Sequence, residues 1–265
     1  MVVNDLGSSI DGSGTDDEPA STVADEIVSA GGSAMADTND VATQAGAQAV
    51  VDAVVARFGR VDILINNAGI VRWARLPDAD DDNLAAHLAV HVHGSFHTTR
   101  AAWPHMVSHG YGRIVMTTST GAFGLPNNTS YATAKAAVIG LTRSLAKAGT
   151  ANGIKVNAIA PGAMTRMAGI GADPESASPE MAPELVAPMV AFLAHEDCPA
   201  SGEIYAAGFG RFARIFIGCT EGYVGSDPTI EDIKAQWATI NDETGYYVPA
   251  DLPAWSTAFL SHLNS

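Results

Sequence analysis

Basic residues are scarce in this chain. Lys and Arg number 14 against 29 Asp and Glu, a formal net charge of −15. A surface of that sign repels nucleic acid and anionic membrane, so neither is expected as a partner. It leaves room for a phosphorylated cofactor, which backbone donors hold locally. Cysteine is scarcer still, with Cys198 and Cys219 the 2 in 265 residues. Two thiols with no framework of spacings read as reduced side chains of a cytoplasmic protein. No stretch reaches the ~18 apolar residues of a membrane span, and no basic segment followed by an apolar one reads as a signal peptide. Charged residues are only 16% of the chain and aromatics 7%, whereas apolar residues are 47% and glycines number 26. That balance suits one large core with close helix-on-sheet contacts.

The apolar pattern switches repeatedly between strand and helix periods. Residues 1–3 read as a strand ended by the turn Asn4-Asp5-Leu6-Gly7, residues 8–19 as a polar loop and residues 21–30 as a helix stopped by Gly31-Gly32. A short strand at 33–36, a helix at 41–58 and a buried strand VDILI at 61–65 follow. Beyond them come a long helix at 84–108, the strand GRIVMT at 112–117, a second long helix at 130–148 and the strand IKVNAI at 154–159. A loop at 164–180, a helix at 183–193 and a strand at 202–207 complete the alternation. Such alternation implies an α/β fold built of βαβ units around a parallel sheet. After Gly208 the pattern fades. Helices at 229–240 and 254–263 suggest a C-terminal extension, 209–265, packed on the 1–208 domain or on a partner subunit.

Four features carry chemistry. Tyr131 and Lys135 (YATAK) lie four apart, on one face of a helix. An ammonium beside a phenol favours phenolate, which makes a general acid–base for a carbonyl or alcohol oxygen. An ordinary exposed helix pair has the same spacing. Ser119 follows the strand GRIVMT, where open α/β sheets face their ligand crevice. Thr118 offers a competing hydroxyl one residue earlier. NNAG (Asn66, Asn67, Ala68, Gly69) ends the VDILI strand with small residues that let backbone approach a nucleotide. Pro161-Gly162 ends IKVNAI likewise, with Met164 and Thr165 just beyond. Each feature alone is weak, since turns use the same residues. Together, in order and at strand ends, they are strong.

With these motifs the chain resembles the short-chain dehydrogenase/reductase family over residues 1–208. Within it the stretches VVNDLG, GSFHTTRAAW and NAIAP look most like the (3R)-hydroxyacyl-CoA dehydrogenase branch of peroxisomal multifunctional β-oxidation enzymes. The resemblance implies a Rossmann-like doubly wound parallel sheet, a nicotinamide cofactor, and interconversion of a secondary alcohol and a ketone by hydride transfer. By carry-over, Tyr131 is the acid–base, Lys135 lowers its pKa and binds the nicotinamide ribose, and Ser119 orients the substrate oxygen. Asp5 would bind the adenosine ribose and favour NAD over NADP. Asp40 and Val41 would lie against adenine; Asn67, Ala68, Gly69, Pro161, Gly162, Met164 and Thr165 would line the cofactor. A homodimer or homotetramer through the two long helices is also implied.

Three departures stand out. His91 occupies the place of the family's helix asparagine, with His87, His93 and His97 nearby; it could anchor the water of a proton relay, or these rings line a helix face. No carboxylate or cysteine completes a metal set, so no metal is expected. Trp73 stands where the acyl-CoA branch carries an aspartate, leaving the substrate open between a 3-hydroxyacyl thioester and a hydroxysteroid. The family's first strand, first helix and TGxxxGxG loop are not found. Loss of about five buried side chains at roughly 1.5–3 kcal/mol each rivals a typical total stability of about 5–15 kcal/mol. The expectation is that the working protein starts upstream of Met1, and that a chain starting there binds cofactor weakly. A non-catalytic family member serving as a binding module is the alternative function.

Overall fold

In the computed structural model, which describes residues 1–167 and 178–264, strand and helix alternate from the first residues. β1 (Val2–Asn4), α1 (Glu18–Ser29), β2 (Met35–Asp37) and α2 (Gln44–Phe58) lead into β3 (Ile63–Asn66). The long helix expected at 84–108 starts earlier and has three parts. α3 (Asp81–His87) passes through a π-helical turn (Leu88–Gly94) into α4 (Ser95–His109). Then come β4 (Gly112–Thr117), α5 (Thr129–Gly149), β5 (Ile154–Gly162), α6 (Ala187–Leu193), β6 (Ile204–Gly208) and β7 (Arg211–Ile215).

Local chemistry fixes the boundaries. Thr43 caps α2 by accepting from Gly46 N at 3.0 Å, and Gly59, at φ 81°, ends it. Asn128 caps α5 through Tyr131 N at 3.1 Å. In the wider π turn, the carbonyls of His91 and Gly94 accept from the hydroxyls of Ser95 and Thr98, each at 2.8 Å.

β3-β4-β5-β6-β7 form one sheet, parallel from β3 through β6. β1 and β2 form a separate parallel pair. Among the described residues β1 and β3 therefore each keep one edge unpaired. α2 bridges the two sheets, packing on both β1 and α4.

α4 and α5 cover one face of the larger sheet, and α6 covers the other. On the α6 face Val115, Ile159, Leu193, Cys198 and Ala207 form a core cluster. The register pairs Ile65 with Val115, so both point to this face. Val115 is fully buried, yet Ile63 and Ile65 are 50% and 47% exposed. The cover stops before β3.

β7 was not expected. It follows β6 through Phe209-Gly210, with φ of 54° and 73°, the backbone of a two-residue hairpin. Residues 211–214 are exposed, so no buried face gave β7 a pattern. The chain forms two compact units, Met1–Arg214 and Ile215–Ser265. The second unit holds α7 (Ile230–Ala235), α8 (Trp237–Ile240) and α9 (Leu252–Phe259). A capping box joins Thr229 and Asp232, and Trp255 stacks on Phe259 at 4.6 Å. No described helix is long and apolar enough to cross a membrane. Of the loop expected at 164–180, residues 168–177 lie outside the described residues.

Candidate active site

β4 delivers Ser119 to the C-terminal edge of the sheet, and the first turns of α5 bring Tyr131 and Lys135 beside it. The Ser119 hydroxyl and the Tyr131 ring converge on Gly121, where an added Cβ would lie 3.3 Å from Ser119 Oγ and 3.4 Å from Tyr131 Cε1, and Ser119 Oγ accepts from Gly121 N at 3.0 Å. Thr118 is turned away: its buried hydroxyl donates to the Lys135 carbonyl at 2.6 Å. The structure thus brings Ser119, and not Thr118, to the tyrosine.

Lys135 Nζ donates to the Thr117 carbonyl at 2.8 Å and lies 5.7 Å from the Tyr131 ring centre. The electrostatics differ from the expectation of a lysine-lowered tyrosine. Burial pushes the Tyr131 phenol up, and the Ser119 hydroxyl pulls the other way. Burial takes the Lys135 ammonium down to about 7. A wholly buried ammonium with one backbone partner is poorly solvated, so near neutrality the lysine is itself partly uncharged and stabilises phenolate less.

His91 is buried in the π turn, its ring edge-on to Tyr131 with centres 5.4 Å apart. Its Nε2 is 2.9 Å from Ile70 O and 3.4 Å from Ile70 N. The shorter contact assigns the proton to Nε2, leaving Nδ1 a buried acceptor without a partner. Burial, then the Lys135 charge, hold this ring down to about 2. It stays neutral at any physiological pH, so it cannot relay a proton by becoming charged. It grips backbone instead: a Cβ on Gly69 would meet His91 Cε1 at 2.8 Å. His87 stacks on His91 at 6.0 Å; its Nδ1 donates to Asn83 O at 2.8 Å while Nε2 accepts from Arg72 N at 3.1 Å. His93 and His97 pair elsewhere, at 6.0 Å. No described group of His, Cys, Asp or Glu is arranged to hold a metal.

The two asparagines of NNAG divide their labour. Asn66 is buried and bolts β3 to α4, accepting from Thr98 Oγ1 at 2.7 Å and donating to Thr99 Oγ1 at 3.2 Å. Asn67 and Ala68 are exposed at the strand end, where Asn67 Oδ1 accepts from Thr117 Oγ1 at 3.2 Å. Gly162 meets the Phe209 ring, 2.8 Å from where its Cβ would be. Pro161 is exposed; Met164 N donates to Met181 O at 2.8 Å, and Thr165 Oγ1 accepts from Met167 N at 3.2 Å.

Asp5 and Asp40 lie at the ends of β1 and β2. Asp5 Oδ1 accepts from Gly7 N at 2.7 Å, and Asp40 Oδ1 from Ala42 N at 2.9 Å. Val41 packs against Gly94 of the π turn.

The residues present fit the nicotinamide-ribose half of a dinucleotide. Lys135 has N–H groups beyond the one spent on Thr117, and the small NNAG turn adjoins it. They form no pyrophosphate cradle. The glycine-rich turn between β1 and α1, with Gly7, Gly12 and Gly14 all at positive φ, carries Asp11, Asp16, Asp17 and Glu18. These carboxylates oppose a pyrophosphate. Sequence reasoning missed Asn128, although it had a signal as a cap residue just before a helical run; Asn66 and His87 were named, the first as part of a cofactor turn and the second as part of a histidine face.

The comparisons with known proteins agree with this geometry. A family model described as short chain dehydrogenase matches residues 7–172. A short-chain type dehydrogenase/reductase of Mycobacterium tuberculosis is 39% identical over 247 residues, covering 92% of this chain and 86% of that one. The peroxisomal multifunctional enzyme type 2 of Drosophila melanogaster is 39% identical over 248 residues, 91% of this chain and 41% of that protein. Its full-length structure superposes with a TM-score of 0.78 at 32% identity, covering 92% and 43% of the two chains. The chain thus spans less than half of that relative. A 7α-hydroxysteroid dehydrogenase structure, complexed with NADH and 7-oxo glycochenodeoxycholic acid, gives a TM-score of 0.69 at 30% identity over 79% of this chain and 83% of that one. The chain is an oxidoreductase of the short-chain dehydrogenase family, whose members use a nicotinamide cofactor.

Proposed function

We propose that this chain interconverts a secondary alcohol and a ketone with NAD, and that Tyr131 moves the proton. The observation that carries this is the convergence of Ser119 and Tyr131 on Gly121, with Lys135 one helical turn further on, at the sheet's C-terminal edge. When bound, the cofactor supplies or accepts the hydride. Ser119 donates to the substrate oxygen and holds it against the phenol. In ketone reduction Tyr131 gives its proton to that oxygen; in alcohol oxidation it takes one. Lys135, with Asn67–Gly69 and Pro161, Gly162 and Thr165, holds the nicotinamide ribose and ring. His91 is a positioning residue that fixes Gly69 and Ile70.

NAD is favoured over NADP by Asp5 at the end of β1, since a carboxylate there repels a 2′-phosphate. A cytoplasmic site is supported by two free thiols, and pairing through the long helices by the exposed Phe96 and Val107 on α4.

The test is reduction of a cyclic ketone with NADH by wild type and Tyr131→Phe, together with an NADH fluorescence titration of both. Wild type should turn over. The variant should lose about 10²–10⁴-fold in kcat at unchanged NADH affinity. A variant that keeps its rate sinks the assignment of Tyr131.

A further inference from the structure

Beyond Ile70–Arg72 the chain forms one wall of a depression of ≈ 530 Å³ lined by Trp73, Ala74, Arg75, Asp78 and Asn127. Both walls are tied to the Ser119–Tyr131 site. On one side, His87 lies edge-on to Tyr131 at 6.1 Å and accepts from the N–H of Arg72, the residue before Trp73. On the other, Asn127 precedes Asn128, whose side chain caps the Tyr131 N–H.

Large apolar side chains stand open in these segments. Trp73 is 39% exposed, Leu76 67%, and Phe123, on the turn between Ser119 and Tyr131, 76%. Uncovered aromatic surface in a concave site is what a flat apolar ligand uses. The charge has one prevailing sign. Between residues 72 and 82 two arginines, Arg72 and Arg75, meet four aspartates, Asp78, Asp80, Asp81 and Asp82, on a chain of net charge −15. Arg72 already donates to Asp11 O at 2.6 Å. An anionic field at a mouth slows a polyanion and leaves a neutral molecule unaffected. A CoA thioester carries three phosphate groups.

We propose that the substrate is an uncharged, flat, apolar secondary alcohol or ketone seated on Trp73, and that the chain selects against CoA thioesters. This rests on the oxidoreductase reading above.

The test uses three ketones with NADH: trans-1-decalone, a 3-oxoacyl-CoA, and the same 3-oxoacyl group as its uncharged N-acetylcysteamine thioester. Each is reduced at one carbonyl, the hydride from NADH going to carbon and a proton to oxygen. Decalone should show the highest kcat/KM. The N-acetylcysteamine ester should exceed the CoA ester about tenfold at low salt, and the gap should narrow as salt shortens the Debye length from about 30 to about 8 Å. Trp73→Ala, a surface change, should cost decalone about tenfold through KM and leave NADH affinity alone. As a readout without turnover, decalone should quench tryptophan fluorescence in wild type and not in Trp73→Phe. Preference for the CoA ester, or indifference of decalone to Trp73→Ala, overturns this assignment and leaves the oxidoreductase reading standing. Failure of wild type to reduce any of the three overturns both.

Discussion

The two halves of the unit Met1–Arg214 are built to different standards. β4 and β5 are buried along most of their length and carry Ser119 at the end of one, with Tyr131 and Lys135 on the helix between them. β1 and β2 are three-residue strands, half-buried throughout, with Asp5 directly after the first and Asp40 three residues past the second. The half that holds Ser119, Tyr131 and Lys135 has strands buried along most of their length. The half assigned to the adenosine end has an open strand edge and no pyrophosphate cradle. The difference separates two tasks that a dinucleotide enzyme usually combines. On the proposed reading, proton transfer rests on the packing between β4, α5 and the π turn, and the adenosine end of the cofactor on β1 and β2.

The sharpest way to isolate the first half is Lys135→Met. It should lower turnover about 10³-fold while raising the melting temperature, because it removes a wholly buried ammonium. The pH profile carries the same information. Tyr131 is pushed up and Lys135 down to about 7, so the pair releases its first proton near pH 7. The form without that proton has a tautomer with phenolate and ammonium. Alcohol oxidation needs that form and should rise through pH about 7. Ketone reduction needs the protonated pair and should fall there. Lys135→Met should flatten both limbs. A profile without a limb near 7 in wild type would break the link between Lys135 and the chemistry.

Acid should unfold this half next. His91 titrates at about 6.5 in an unfolded chain and is held down to about 2 in the fold. As pH falls below about 6.5 the unfolded state binds this proton and the native state does not, so stability drops. It is fully present above 6.5 and is lost toward 2, at up to about 1.4 kcal/mol per pH unit. His87 is lowered too, mainly by burial, and adds in the same direction. Unfolding free energies from urea titrations at pH 7 and pH 5 should differ by about 2 kcal/mol in wild type, and by less in His91→Gln.

What the sequence made legible follows the same division. GRIVMT and the helix over Tyr131 were placed to within a residue, because full burial and a capped start leave strong patterns. Ser119, Tyr131 and Lys135 were read from their spacing along a strand end and a helix, and the structure places them near one another at the end of β4 and the start of α5. The π turn was hidden: it accompanies bonds from His91 and His87 to the backbone of Ile70 and Arg72, contacts 21 and 15 residues away that no local periodicity records. The neutral state of His91 and the lowered Lys135 were hidden for a related reason, since both follow from burial. β7 escaped because an exposed hairpin arm has no buried face to alternate.

The smallest expected effect tests the boundary itself. Ile65 and Val115 are register partners on the same face of the sheet, so strand propensity and neighbours are closely matched. They differ in cover: Val115 sits in the cluster beneath α6, and Ile65 is 47% exposed. Truncating a buried side chain removes transfer energy and leaves a cavity, whereas truncating a half-exposed one forfeits only part of the first term. Val115→Ala should cost about 2 kcal/mol, and Ile65→Ala, although it deletes more carbon, less than about 1 kcal/mol. Urea unfolding of both variants decides it. Equal losses would mean that something covers β3 in solution and that the open half is closed there. A loss at Val115 alone would fix the limit of the working core between β3 and β4, with the catalytic side chains on its buried side.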